Sequence, residues 1–150
     1  MSAAAILSAV LLVLGIVSGA ALVTLRSRQR SRQLREAVEK MGQRLILGPE
    51  PCAFRAKGTP YDDLRGNAVA CLTDACLLVF GLRDEAVGIP LEQLSNPALG
   101  GNAVFGTGGK YLSLRLSGGG SIDLLLLKRP NQWISEIEQR HRSLGVEYET

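Results

Sequence analysis

Few side chains in this sequence have the type and spacing that a reaction would need. The chain holds one histidine, His141, so no zinc triad of imidazoles and no nucleophile–histidine pair can form around another site. Three cysteines, Cys52, Cys71 and Cys76, are an odd number in no framework spacing, which rules out a disulfide-stapled secreted domain. Cys71 and Cys76 flank a Thr73-Asp74 turn and read as small apolar residues of a β core. The alternative is a redox pair, which a cytosol would keep reduced. Gly106-Thr-Gly-Gly-Lys110 invites a phosphate-loop reading, but that motif needs a glycine where Val104 stands and a hydroxyl where Tyr111 stands. Asp62 and Asp63 could act as a carboxylate pair, yet after Thr59-Pro60 they fit a solvated turn. No catalytic residue, metal ligand or cofactor site is therefore assigned, and the chain is read as a non-enzyme.

Charge is spread unevenly over the elements that would position these residues. The 150 residues hold 17 Lys and Arg against 14 Asp and Glu. Residues 26–44 carry seven basic and two acidic side chains, which leaves ten basic and twelve acidic ones for 45–150. The high pI thus belongs to one short segment. Upstream, residues 3–25 lack any charged side chain and are apolar on every face, with only Ser8, Ser18 and Thr24 as hydroxyls. As a helix this stretch would reach roughly 35 Å, enough to cross a hydrocarbon core about 30 Å thick. It is read as a transmembrane helix. A cleaved signal peptide would carry its basic residues before the apolar run, whereas here they follow it.

Arg26, Arg28, Arg30, Arg32 and Arg35 place the N-terminus outside and the rest in the cytoplasm by the positive-inside rule. Their guanidinium groups would lie against lipid headgroups. The prediction is a single-pass protein of the plasma or inner membrane. No aromatics are interleaved with these arginines and the following domain is slightly acidic, so nucleic acid is not an expected partner. Gly15 and Gly19 form a Gly-x-x-x-Gly pair that would let two such helices pack closely, giving a homo-oligomer.

Beyond the span, Leu34, Val38 and Met41 make a thin helical stripe, and Gly48-Pro-Glu-Pro51 ends it. From Cys52 the pattern becomes short apolar runs between turn residues, which predicts strands over 52–57, 67–72, 76–82, 86–90, 91–99, 111–116 and 121–127. Ser117-Gly-Gly-Gly120 joins the last two, and after Pro130 the period changes to that of a helix with Trp133, Ile134 and Ile137 on one side. The division predicted is a tail over 1–2, a span over 3–25, a basic linker over 26–51, a domain over 52–143 and a tail over 144–150.

Seven strands and one terminal helix resemble the pleckstrin-homology-like (PH-like) superfold, and within it the GRAM and bacterial PH-like domains. Val69-Ala-Cys-Leu-Thr-Asp-Ala-Cys-Leu-Leu-Val-Phe80 is similar to the second GRAM hairpin, and Ile89-Pro-Leu-Glu-Gln-Leu94 to the next strand pair. Asp123 to Leu127 with Asn131-Gln-Trp-Ile134 is similar to the last strand and capping helix. The fold class expected is a membrane-anchored, mainly-β α+β chain: one transmembrane helix, then a seven-stranded antiparallel PH/GRAM-like barrel capped by a helix. The resemblance implies a non-catalytic adaptor or scaffold for a membrane-proximal protein partner. It also implies a partner groove between the fifth strand and the terminal helix, at Leu91, Leu94, Leu99, Gln132, Glu136 and Arg140. Many PH domains bind phosphoinositides through basic residues of the first strands. Arg55, Lys57 and Arg65 match those positions, but Tyr61-Asp-Asp63 lies between them and would oppose an anion, so headgroup binding stands as the alternative.

Overall fold

Alternation at period two sends successive side chains to opposite faces of a strand, and Tyr111-Leu-Ser-Leu-Arg-Leu116 follows it closely. Leu112, Leu114 and Leu116 are buried while Arg115 is exposed. The computed structural model describes residues 3–81, 85–101, 110–125 and 127–145, with the surroundings of α1 side chains given at 19 and from 21 onward. Its elements are α1 (Ala3–Lys40), β1 (Leu45–Lys57), β2 (Gly66–Thr73), β3 (Cys76–Gly81), β4 (Ala86–Pro90), a 3₁₀ turn (Leu91–Gln93), β5 (Leu94–Gly101), β6 (Lys110–Leu116), β7 (Ser121–Leu125) and α2 (Pro130–Leu144). The strands form one antiparallel sheet in the order β4-β3-β2-β1-β7-β6-β5.

Two of the sequence-based expectations for the fold class are corrected. Among the described residues no helix is long and apolar enough to cross a membrane, which overturns the transmembrane helix expected over 3–25 and the membrane-anchored class built on it. Instead of a span followed by a separate linker, one unbroken helix runs from the uncharged stretch into the arginine-rich one. Its C-terminal half is fastened to the sheet: Leu34 is 0% exposed and Val38 2%, packed with Val69, Cys71 and Leu78. The second correction concerns the barrel. The strands form a sheet with β4 and β5 at its two edges, and a 3₁₀ turn takes Leu91–Gln93 out of the strand expected over 91–99.

The first strand also begins earlier than the prolines suggested. Gly48 to Pro51 lie inside β1, where the β1–β2 register shifts between Leu47 and Glu50. A bulge of this kind admits residues that cannot donate to the ladder. Gly48 has φ +83 and lies so close to Ala70 O that a Cβ would come within 2.6 Å.

The core lies on the inner face, where Phe54, Leu72, Leu77, Ile89, Leu112, Leu114, Ile122 and Leu124 meet Trp133 and Ile137 of α2. On α2 the buried positions are Trp133, Ile137 and His141, spaced four apart along one side. Pro130 opens the helix and Gly145, with φ 69, closes it in the left-handed conformation. On the opposite face, the outward-pointing Val69 and Cys71 of β2 are covered by α1. The hairpin beneath α1 is fixed by the buried Thr73, whose hydroxyl accepts N–H bonds from Ala75 (3.3 Å) and Cys76 (3.0 Å). The same hydroxyl lies 2.9 Å from Gln43 Oε1 and 3.0 Å from Cys76 O, either of which can accept its one hydrogen.

Candidate functional site

The first half of the site comes from β1, where Phe54 points into the core and its neighbours Arg55 and Lys57 are exposed. Antiparallel pairing sets Ala53 opposite Leu125, Arg55 opposite Asp123 and Lys57 opposite Ser121 of β7. The chain leaving β7 therefore passes beside β1, and Leu127 is buried while Lys128 and Arg129 are exposed. The β6–β7 register, with Leu112 opposite Leu124, brings Lys110 and Tyr111 to the same end. The result is an open groove of about 1170 Å³ lined by the second half of β1, the loop that follows it, the start of β6, Leu125, residues 127–129 and the first turn of α2. Six cationic side chains line it: Arg55, Lys57, Arg65, Lys110, Lys128 and Arg129. Among the described residues Asp62 supplies the single carboxylate of the lining, among apolar neighbours that include Phe54, Tyr111, Leu125 and Leu127.

That carboxylate is already engaged in its own loop. Its Oδ1 accepts the Thr59 N–H at 2.8 Å and the Thr59 hydroxyl at 3.1 Å, and its Oδ2 accepts the Gly58 N–H at 3.0 Å. Thr59 Oγ1 in turn accepts the Tyr61 N–H at 3.1 Å, closing a reciprocal cap. The Thr59 amide, then the Gly58 amide, the Thr59 hydroxyl and the nearby Arg65 charge hold the Asp62 carboxyl below the usual carboxylate range. Arg65 also donates its Nε–H to Asp62 O at 3.2 Å, which fixes the cation at the groove's rim. Asp63 is exposed and does not line the groove. Asp62 thus stays ionised in the lining, with the Arg65 charge beside it as a counterweight, and Asp63 is no part of the groove. The pattern Thr-x-x-Asp at 59–62 was the available signal for this cap. Asp123, across from Arg55, accepts from Ser113 Oγ at 2.8 Å.

α2 packs against the 3₁₀ turn and β5, so the two sides of the expected partner groove adjoin, with the expected residues divided between core and surface. Leu91 and Leu94 are fully buried in the core, Leu99 stands 37% exposed on the β5 edge, and Gln132 lines the basic groove instead. Glu136 and Arg140 are half-buried on α2, with Arg140 Nε buried and without a hydrogen-bond partner among the described residues. Of the α1 arginines, Arg26, Arg28, Arg32 and Arg35 are exposed, and Arg30 donates to Gln33 Oε1 at 2.8 Å. Gly19 has open space about its Cα, while the surroundings of Gly15 lie outside the described residues. The Gly106-Thr-Gly-Gly stretch also lies outside them, but Lys110 opens β6 and joins the groove.

The residues capable of redox or nucleophilic chemistry are locked into the fold. His141 is buried with Nε2 2.8 Å from Leu91 O. Burial pushes the Cys52 and Cys71 thiols up to about 12, so neither is a thiolate at neutral pH. Cys76 lies 3.4 Å from Thr73 Oγ1 and 3.3 Å from Gln43 Oε1, within the hydrogen-bonded hairpin. Among the described residues no group of three His, Cys, Asp or Glu could hold a metal ion.

The chain is similar in structure to a crystallised domain. That domain is the C-terminal one of an unknown protein from Leishmania infantum, with a TM-score of 0.54 and 15% identity. The likeness covers 71% of this chain and 93% of that one. At this identity it shows the fold alone. No family model matches the sequence, and no curated protein does.

Proposed function

We propose that this chain is a non-catalytic binding module of the PH/GRAM-like kind, and that the basic groove is its binding surface for an anionic partner. The observation that carries the reading is the convergence of six cations on one open groove whose single carboxylate is engaged by its own loop. A guanidinium or ammonium group at such a rim makes charge-assisted hydrogen bonds to phosphate or carboxylate oxygens. The apolar floor gives the ligand a face to cover, which is the usual composition of a specific site. The adaptor role drawn from the family resemblance keeps its class and changes its surface, from the β5–α2 cleft to this groove.

The test is titration calorimetry of the full chain with inositol hexakisphosphate, a soluble polyanion. Wild-type protein binds it, and Arg55→Glu/Lys57→Glu/Lys128→Glu weakens binding by at least about tenfold, or 1.4 kcal/mol. All three positions are exposed, so the fold tolerates their reversal. Equal affinity of wild type and variant would remove the reading.

A further inference from the structure

Apolar side chains of the groove stand in a row across the sheet. Ala53 of β1 is opposite Leu125 of β7, and the pairing of Leu112 with Leu124 sets Tyr111 of β6 on the other side of Leu125. All three line the groove and are half-buried. Neighbouring strands lie about 4.8 Å apart, so this row is roughly 10 Å long. Its far end is a fixed wall. Tyr111 pairs with Gly100 of β5, and its ring lies so close to that glycine that a Cβ there would collide with it. Cations stand on both sides of the row. Arg55 and Lys57 continue along β1 on the face of Ala53, while Lys110 opens β6 and Lys128 and Arg129 lie past the end of β7. A compact polyanion would use these charges and leave the row in water. An acidic protein segment would lay polar backbone on apolar side chains, which is costly unless each group finds a partner. A single molecule with an anionic head and an unbranched apolar body satisfies both parts of the lining.

We propose that the ligand of this groove is a soluble amphiphilic acid, a long-chain carboxylate whose alkyl body covers Ala53, Leu125 and Tyr111 while its head pairs with the flanking cations. The proposal rests on the groove being an anion site and adds the chemical class of the occupant. The head makes charge-assisted hydrogen bonds, and these are the same for every chain length. Each methylene that leaves water tightens binding about fourfold, so chain length reads the row separately from the charges.

The experiment is titration calorimetry of the full chain with octanoate, decanoate and dodecanoate, each kept below micelle formation. Wild-type protein binds dodecanoate at least about tenfold tighter than octanoate. Arg55→Glu/Lys57→Glu/Lys128→Glu weakens dodecanoate by about tenfold, and inositol hexakisphosphate displaces it. Leu125→Gln flattens the chain-length series, and Leu125→Met retains it. Should Leu125→Gln fail to fold, the wild-type series and the charge reversal still decide. A flat wild-type series overturns the amphiphile. So does a steep series that the reversal leaves untouched, which would move the alkyl chain to the exposed Leu22, Val23 and Leu25 of α1. Tighter binding of hexaglutamate than of dodecanoate also overturns it and gives the groove to an acidic protein segment. In each of these cases hexakisphosphate binding that the reversal weakens keeps the groove an anion site. If the reversal weakens neither ligand, both readings fall.

Discussion

Asp62 shows how a carboxylate can sit within a basic groove without neutralising it. Three hydrogen bonds from Gly58 and Thr59 use its oxygens, and its backbone carbonyl holds Arg65. Because these bonds favour the charged form, its folded-state pKa lies below the ordinary value of about 3.9. A lowered folded pKa means that stability from this group is present above the unfolded value and is lost as pH falls through the folded one. Asp62→Ala should therefore lower Tm at neutral pH, and the gap from wild type should close as pH drops below the ordinary carboxylate range. Melting curves followed by circular dichroism over a pH series check this; a gap that persists undiminished in acid would refute the cap. The Asp62-Asp63 pair was legible as a turn, since Thr59-Pro60 precedes it. The bonds to the amides were hidden because a side chain's choice between water and its own loop depends on backbone angles that residue types do not state.

At the scale of elements, the contact between α1 and the outer face of the sheet decides the architecture. Every β2 position from Ala68 to Thr73 is buried, since the inner core takes one set of side chains and Leu34 and Val38 cover the other. A strand buried on both faces reads as a continuous apolar run, which Val69 to Leu72 does. Leu34→Ala should cost about 2–5 kcal/mol, the range for truncating a buried leucine. Denaturant unfolding measures it, with Leu34→Met as the near-neutral control. Hydrogen exchange at the described amides of α1 should quicken in Leu34→Ala and not in the control. The stripe Leu34, Val38 and Met41 was visible in sequence, and two of its three members are buried while Met41 stands exposed. The stripe could not name its partner, because a thin apolar face fits a sheet or a lipid surface equally well.

For the whole molecule, average charge and local charge disagree. Residues 45–150 are net acidic in sequence, with ten basic side chains against twelve acidic ones, and still assemble a groove of six cations. Those cations come from three separated stretches that only the β1–β7 and β6–β7 pairings bring side by side. Binding at such an exposed rim is screened by salt. Affinity for hexakisphosphate should fall by about tenfold or more between about 50 and 200 mM salt, as the Debye length shortens toward the spacing of the charges. Calorimetry at several salt concentrations gives the slope, and a flat response would mean that the floor, not the rim, holds the ligand.

Composition and periodicity alone determined the local parts of this protein: the short apolar runs of β2, β3, β4, β6 and β7, the helix opened by Pro130, and the two-part character of the first forty residues. These are properties of neighbours along the chain, where apolar spacing directly selects a strand or a helix. The tertiary structure decided the rest. It buried Leu91 and Leu94 that had been assigned to a partner, turned Gly48 to Pro51 into a bulge of β1, laid α1 on the sheet and gathered Arg55, Lys110 and Lys128 around one groove. Such outcomes depend on which strands pair and in what register, and a one-residue slip would send every side chain to the opposite face.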